Sequence, residues 1–319
     1  MKKLGAVIVG ILIFISFLIM LGPRVVIDPE IKNVELPEDI DSFIKNAESI
    51  YKDITPGAEK RIIWYGSPNT KTEHAVVFIH GFGATRQELS PVPEKLAAAL
   101  EGNYYGARLK GHGRPGEYMG TATVNDWLND AVQAIEVGRK IGNKVTVIGN
   151  STGCSSLSYL IGLPDFQDLH AAVFISPNYG PKNKLAEVSL FPWALQIAHA
   201  VEGETRTWEP MNEMQAKYWT TTQPTRAVLP MMGLVHLARN TDHENVTVPV
   251  LFIYSPSDEV VDPLLIEENA AKFSNSRVGI HTIAESSDTT NHILAGDIIA
   301  PENNDEVFQT VLDFVKADK

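Results

Sequence analysis

Lys144-Val145-Thr146-Val147-Ile148-Gly149-Asn150-Ser151-Thr152-Gly153 is the stretch on which the reading of this chain turns. Residues 144–148 form a β-branched run of the kind found in strands covered on both faces. Residues 153–161 read as a helix, so a Gly-x-Ser-x-Gly turn joins a strand to a helix. In such a turn the serine sits on strained backbone, and a side chain at Gly149 or Gly153 would collide with neighbouring main chain. Ser151 is thereby presented above the carboxyl end of a sheet. It also stands at a helix N-terminus, whose dipole favours a developing anion. Ser151 is the candidate nucleophile.

Short apolar runs at 62–64, 75–79, 104–109, 171–175, 250–254 and 278–283 read as further strands. Helical patterns at 86–100, 124–141, 263–273 and 305–315 alternate with them. This alternation predicts an α/β fold with a mostly parallel central sheet, helices on both faces and right-handed crossovers. No strand is expected between Ser176 and Val248. That interval is rich in Met and Trp and is punctuated by prolines, so residues 177–247 read as a helical cap insertion. Met211 and Met214 share a helical face with Tyr218, and Met231 and Met232 share one with Val228 and Val235. These four methionines are the candidate pocket lining. The competing reading is ordinary packing of those faces onto the sheet domain.

A serine hydroxyl is a weak nucleophile and needs a base, which in turn needs an orienting acid. In this architecture the chain order is Ser, acid, His, each on a loop after a strand. After the strand at 250–254 comes Ser255-Pro256-Ser257-Asp258-Glu259, and Asp258 fits the acid. Glu259 and Asp262 are nearby alternatives, but Asp262 precedes Pro263 and reads as a helix N-cap. After the last strand comes His292, the one histidine of nine in the required position. An oxyanion needs two backbone donors: the N–H of Thr152, after the serine, and that of Phe82 in the glycine loop His80-Gly81-Phe82-Gly83. The His80 side chain reads as a buried turn histidine, and Cys154 as packing.

Within 319 residues, 27 Lys and Arg stand against 39 Asp and Glu, a formal charge of −12. No basic run collects on that background, so nucleic acid is not an expected partner. A single cysteine excludes an internal disulfide framework and a Cys-rich zinc site. Residues 4–21 carry no charge and are apolar apart from Gly5, Gly10 and Ser16. As a helix they would rise about 27 Å, near the low end of what crosses a bilayer. With Lys2 and Lys3 before it and no clear cleavage site after it, residues 1–22 read as an N-terminal signal anchor. The expectation is a transmembrane helix with the catalytic domain on the non-cytoplasmic side, or a secreted protein if the segment is cleaved. Residues 23–60 read as a stalk and lead-in, and 61–319 as the catalytic domain.

These features resemble the α/β-hydrolase superfamily, in particular its carboxylesterase and monoacylglycerol lipase-like branch, over about residues 61–318. Besides the elbow, the similarity rests on His80-Gly81-Phe82-Gly83, Leu109-Lys110-Gly111-His112-Gly113, Ser257-Asp258-Glu259-Val260-Val261-Asp262-Pro263, His292-Ile293 with Asp297, and Pro224-Thr225-Arg226-Ala227. The resemblance implies a serine carboxylic-ester hydrolase that cleaves small hydrophobic acyl esters or lipids without cofactor or metal. It implies Ser151 as nucleophile, His292 as base, Asp258 as acid, and Phe82 and Thr152 as oxyanion donors. The chain departs from many relatives at Asn150, where they carry histidine, and in its N-terminal segment. A serine aminopeptidase or an acyltransferase on the same fold is the alternative. A peptidase would need acidic residues for the substrate amine, for which Glu202, Glu204 and Glu209 are the candidates. A membrane-anchored binding protein without activity is disfavoured by the intact Ser151, Asp258, His292 set.

Overall fold

In the computed structural model, which describes residues 2–317 without the side chains of residues 2, 3 and 6, the apolar runs lie side by side in one seven-stranded sheet. Its strands are β1 (Arg61–Ile63), β2 (Thr72–Ile79), β3 (Asn103–Gly106), β4 (Gly142–Asn150), β5 (Ala171–Ile175), β8 (Val250–Tyr254) and β9 (Val278–Thr282). Two further strands, β6 (Thr205–Thr207) and β7 (Thr222–Pro224), form a separate antiparallel pair in the cap. The order across the main sheet is β1-β3-β2-β4-β5-β8-β9, and every neighbouring pair is parallel except β1 with β3.

Helices cover both faces. The α-helices of the described residues are α1 (Lys2–Leu21), α2 (Ile40–Ser49), α3 (Val92–Ala99), α4 (Val124–Ile141), α5 (Thr152–Ile161), α6 (Ala194–Glu202), α7 (Glu213–Tyr218), α8 (Val228–Asn240), α9 (Pro263–Ala270) and α10 (Asn304–Lys316), of which α3, α4, α5 and α10 pack on the sheet. The pleat explains why the strands are apolar without alternation. Along β2, Val77 and Ile79 join a core with Trp127, Leu128 and Ile135 of α4 and Leu157 of α5. Val76 and Phe78 of the same strand join a second core with Leu96 of α3 and Val307 and Val311 of α10. Successive side chains point to opposite faces, and here each face has a helical layer. Each fully buried aliphatic or aromatic side chain contributes roughly 1.5–3 kcal/mol against exposure.

Four expectations differ from what is observed. The helix expected over 86–100 is split into a 3-10 turn, Arg86–Glu88, and α3, which starts only after Pro91. Proline lacks an N–H donor and disfavours helical backbone in the residue before it. The strand expected over 104–109 ends at Gly106, where the chain turns towards the glycine loop after Leu109. The cap, expected to be strand-free, contains the β6–β7 pair.

The fourth concerns the N-terminus. A helix forms there, but among the described residues no helix is long and apolar enough to cross a membrane. The physical reason is length, since an 18-residue run rises about 27 Å against a hydrocarbon core of about 30 Å. Residues 23–60 lie against the sheet domain. Val25, Ile27, Ile31, Val34 and Leu36 pack on the core. Asn125 Nδ2 donates to Glu30 O at 2.7 Å, and Arg108 Nε donates to Glu48 Oε2 at 2.7 Å in a buried ion pair.

Candidate active site

The turn after β4 has the geometry that its residues imply. Ser151 adopts φ 49° and ψ −114°, a backbone that few non-glycine residues occupy. Such a conformation costs about 1–3 kcal/mol and persists only where its surroundings enforce it. They do so here. Ser151 N donates to Ile175 O at 2.9 Å, and Ser151 O accepts from Cys154 N at 3.0 Å and Asn178 N at 3.2 Å. A Cβ on Gly153 would lie 2.2 Å from Ile79 O, and one on Gly149 2.8 Å from Cys154 N. Both glycines are therefore required by the close approach of β2 and α5 to the turn.

Ser151 Oγ is 2.9 Å from His292 Nε2, and His292 Nδ1 is 2.7 Å from Asp258 Oδ2. A carboxylate only accepts, so Nδ1 carries the proton and Nε2 is left to accept from the serine. Asp258 is fully buried, and its Oδ1 accepts from Val260 N at 2.8 Å and Val261 N at 2.9 Å. It is thus held by main chain on one oxygen and holds the imidazole with the other. Burial alone would disfavour an imidazolium at His292. The charge and hydrogen bond of Asp258, aided by Glu88 and Asp288, outweigh it, so the pKa of His292 is raised.

Residues that had no signal as catalytic groups complete this arrangement. Asp288 is buried, and its Oδ2 accepts from His292 N at 3.0 Å and Ile293 N at 2.9 Å, fixing the loop that carries the histidine. Its sequence mark is an Asx turn, seen in Thr290 N donating to Asp288 Oδ1 at 3.2 Å. Ser176, at φ 44°, donates from Oγ to His292 O at 2.6 Å. Nothing in the sequence around Ser176 announces that contact. Asp262 caps α9 through Leu264 N, as expected.

Phe82 N and Thr152 N donate to no partner among the described residues. Thr152 opens α5, where the first N–H groups of a helix lack intrahelical acceptors. The peptide that carries the Phe82 N–H is fixed through Gly81. His80 Nε2 accepts from Leu109 N at 3.1 Å, so Nδ1 is its donor and reaches Gly81 O at 2.9 Å. In a trans peptide the C=O and the next N–H point in opposite directions. Holding Gly81 O therefore aims the Phe82 N–H the other way. Burial pushes His80 down to about 4, so it does this as a neutral ring. Cys154 is buried, and burial raises its thiol well above the ordinary range, consistent with packing.

The four methionines do not act as one wall. Met232 is fully buried, while Met211 and Met214 are 45% and 47% exposed. Met231 lies towards the site: Asn178 Nδ2 is 3.4 Å from its sulfur, and Asn178 N donates to Ser151 O. The helical-face argument failed for Met211 because α7 starts at Glu213. Glu202, Glu204 and Glu209 lie on the exposed surface of the cap, with Glu202 paired to Arg206. A cavity of about 780 Å³ lined by Ser42, Lys45, Tyr51 and Arg61 lies at the lead-in segment and does not include Ser151.

A strained serine on a strand–turn–helix, followed in chain order by an acid and a histidine, defines the esterase- and lipase-like class of α/β folds. The profile of the alpha/beta hydrolase family matches residues 76–297, more than half of the chain, and the chain belongs to that family. Among solved structures, one reported with LipS and LipT, two metagenome-derived lipolytic enzymes, superposes with a TM-score of 0.66 at 18% identity, covering 82% of this chain and 99% of that one. A monoacylglycerol lipase from Paleococcus ferrophilus gives 0.57 at 15% identity, covering 80% and 97%. A soluble variant of monoglyceride lipase from Saccharomyces cerevisiae gives 0.57 at 13%, covering 81% and 91%. At these identities the likeness is one of fold. A search of curated protein sequences finds no match.

Proposed function

We propose that the protein is a serine ester hydrolase that cleaves hydrophobic acyl esters through an acyl-serine intermediate. The observation that carries this reading is the relay from Ser151 Oγ to His292 at 2.9 Å and from His292 to Asp258 at 2.7 Å. His292 Nε2 takes the Ser151 proton as Oγ attacks the ester carbonyl carbon. The carbonyl oxygen becomes an oxyanion that accepts from Phe82 N–H and Thr152 N–H, each worth about 3–4 kcal/mol in comparable sites. Collapse expels the alcohol, which takes the proton from His292. Water then gives a proton to His292 and attacks the acyl-serine, releasing the acid and restoring Ser151.

The hydrophobic preference is supported by Met231 near the elbow and by neighbours that are named lipolytic enzymes and monoacylglycerol lipases. The aminopeptidase alternative loses its motive, because the three cap glutamates are solvated. Hydrolysis of p-nitrophenyl esters of increasing chain length, run beside aminoacyl anilides, tests the reading. Turnover of esters rising with chain length supports it, and turnover of anilides alone contradicts it.

The chain also attaches to membranes through its N-terminal helix in this reading. Support comes from the uncharged run at 4–21 and from its outward apolar side chains, such as Phe14 and Met20.

A further inference from the structure

We infer that Glu88 is a positioning residue of the acyl-transfer site, holding the oxyanion loop and placing a second acid beside the catalytic histidine. This rests on the ester-hydrolase reading above and names a residue that the resemblance does not. Glu88 ends the 3-10 turn Arg86–Glu88, which exists because Pro91 prevents a continuous helix. It is 3% exposed, and a carboxyl group is rarely buried unless it is paired or hydrogen-bonded.

Its surroundings are those of the reacting groups. Glu88 Oε2 accepts from Gly81 N at 2.8 Å. A Cβ placed on Gly81 would lie 3.0 Å from Glu88 Oε1 and 3.2 Å from Ser151 Cβ, so the carboxyl group and the elbow share that corner. Asn150, the residue before Ser151, is buried beside it. Asn150 Nδ2 makes no full hydrogen bond among the described residues, yet the amide favours the Glu88 carboxylate. On the far side, a Cβ on Gly296 would lie 2.3 Å from Glu88 O, and Asp297 N donates to Ser90 O at 2.9 Å. The turn is thus wedged between the oxyanion loop and the segment that follows His292.

Two consequences follow. Gly81 is pinned at both polar ends, its N–H by Glu88 and its C=O by His80, so the Phe82 N–H direction is set before substrate arrives. The Glu88 charge also favours the imidazolium form of His292, which forms in the first step. The ionisable groups around Glu88 are His292 and the Cys154 thiol, and burial keeps that thiol neutral. Those acting on His292 are Asp258, Glu88 and Asp288.

The test uses the full chain as wild type, Ser151→Ala, Glu88→Ala and Glu88→Gln, with a p-nitrophenyl ester and a fluorophosphonate. Glu88→Ala should lower kcat about 10- to 100-fold, as loss or misplacement of an oxyanion donor does, with KM changed less than about twofold. Glu88→Gln keeps an acceptor for Gly81 N–H, so it should retain kcat within about threefold. It should also move the acid limb of kcat/KM to lower pH, because one anion no longer supports the imidazolium. A folded Glu88→Ala with wild-type kcat, or a Glu88→Gln with an unmoved acid limb, would overturn the inference. If Glu88→Ala does not fold, the limb of Glu88→Gln decides alone. Failure of wild type to label at Ser151 would instead remove the ester-hydrolase reading itself.

Discussion

His292 Nε2 stands 2.9 Å from Ser151 Oγ, although 141 residues separate the two in the chain. The contact is made by two loops that the sheet delivers to its carboxyl edge, one after β4 and one after β9. Each is fixed by groups other than the pair itself: Ser151 through Ile175 O, and His292 through Asp288 and Ser176.

Ser151 occupies φ 49° and ψ −114°, close to the first central position of a type II′ turn, where glycine is favoured. Ser151→Gly and Ser151→Ala should both abolish ester turnover. The glycine variant should nonetheless be more stable than the alanine variant by about 1 kcal/mol, or a few degrees in Tm. Thermal melts of the two inactive proteins check this, and equal Tm values would show that the turn is not strained.

The raised pKa of His292 has opposite effects on activity and stability. As a base the ring must be neutral, so the acid limb of kcat/KM should lie above pH 6.5. Because the folded state holds the proton more tightly than the unfolded chain, this group stabilises the fold fully below pH 6.5. The contribution is lost as pH rises through the folded pKa. Asp258→Asn removes the largest favourable influence on the imidazolium. It should shift the limb downward and cost about 10⁴-fold in kcat. Rate measurements from pH 5 to 9 on both proteins decide it.

Glu88 acts on stability in the same sense. Burial pushes its carboxyl group up to about 7 from 4.5, against the Gly81 hydrogen bond and the nearby His292 and Asn150. The folded state therefore binds this proton more tightly, and stability declines as pH rises from 4.5 through about 7, by up to about 3 kcal/mol. Glu88→Gln removes the decline, so its Tm relative to wild type should be higher at pH 8 than at pH 5. Melts at the two pH values check the difference.

Part of the site is dictated by local residues, and part is provided only by assembly of the fold. The elbow was legible because its requirement is steric and local: Gly149 and Gly153 are the residues that β2 and α5 permit. Asp258 and His292 were legible because the order of loops on a parallel sheet is fixed by topology. Ser176, Asp288 and Glu88 were not, since each acts on a main-chain atom of a residue brought near by folding. The cap methionines depend on assembly in a related way. Periodicity assigned Met211 and Met214 to one helical face and Met231 and Met232 to another, whereas α7 begins only at Glu213 and Met232 is buried in the domain.

The N-terminal helix yields a prediction independent of the chemistry. Exposed apolar side chains along α1 should hold the full chain on phospholipid vesicles. A chain lacking residues 1–22 should stay in the supernatant with unchanged turnover of a short, soluble ester. Co-sedimentation of both proteins measures it, and retention of the shortened chain on vesicles would contradict attachment through this helix.

Intact-mass and peptide analysis after reaction with a fluorophosphonate tests the central claim most directly. The account predicts one covalent adduct, located on Ser151, together with loss of ester turnover. It also predicts no adduct on Ser151→Ala. An unlabelled wild type that still hydrolyses esters, or a Ser151→Ala variant that keeps its rate, would contradict it.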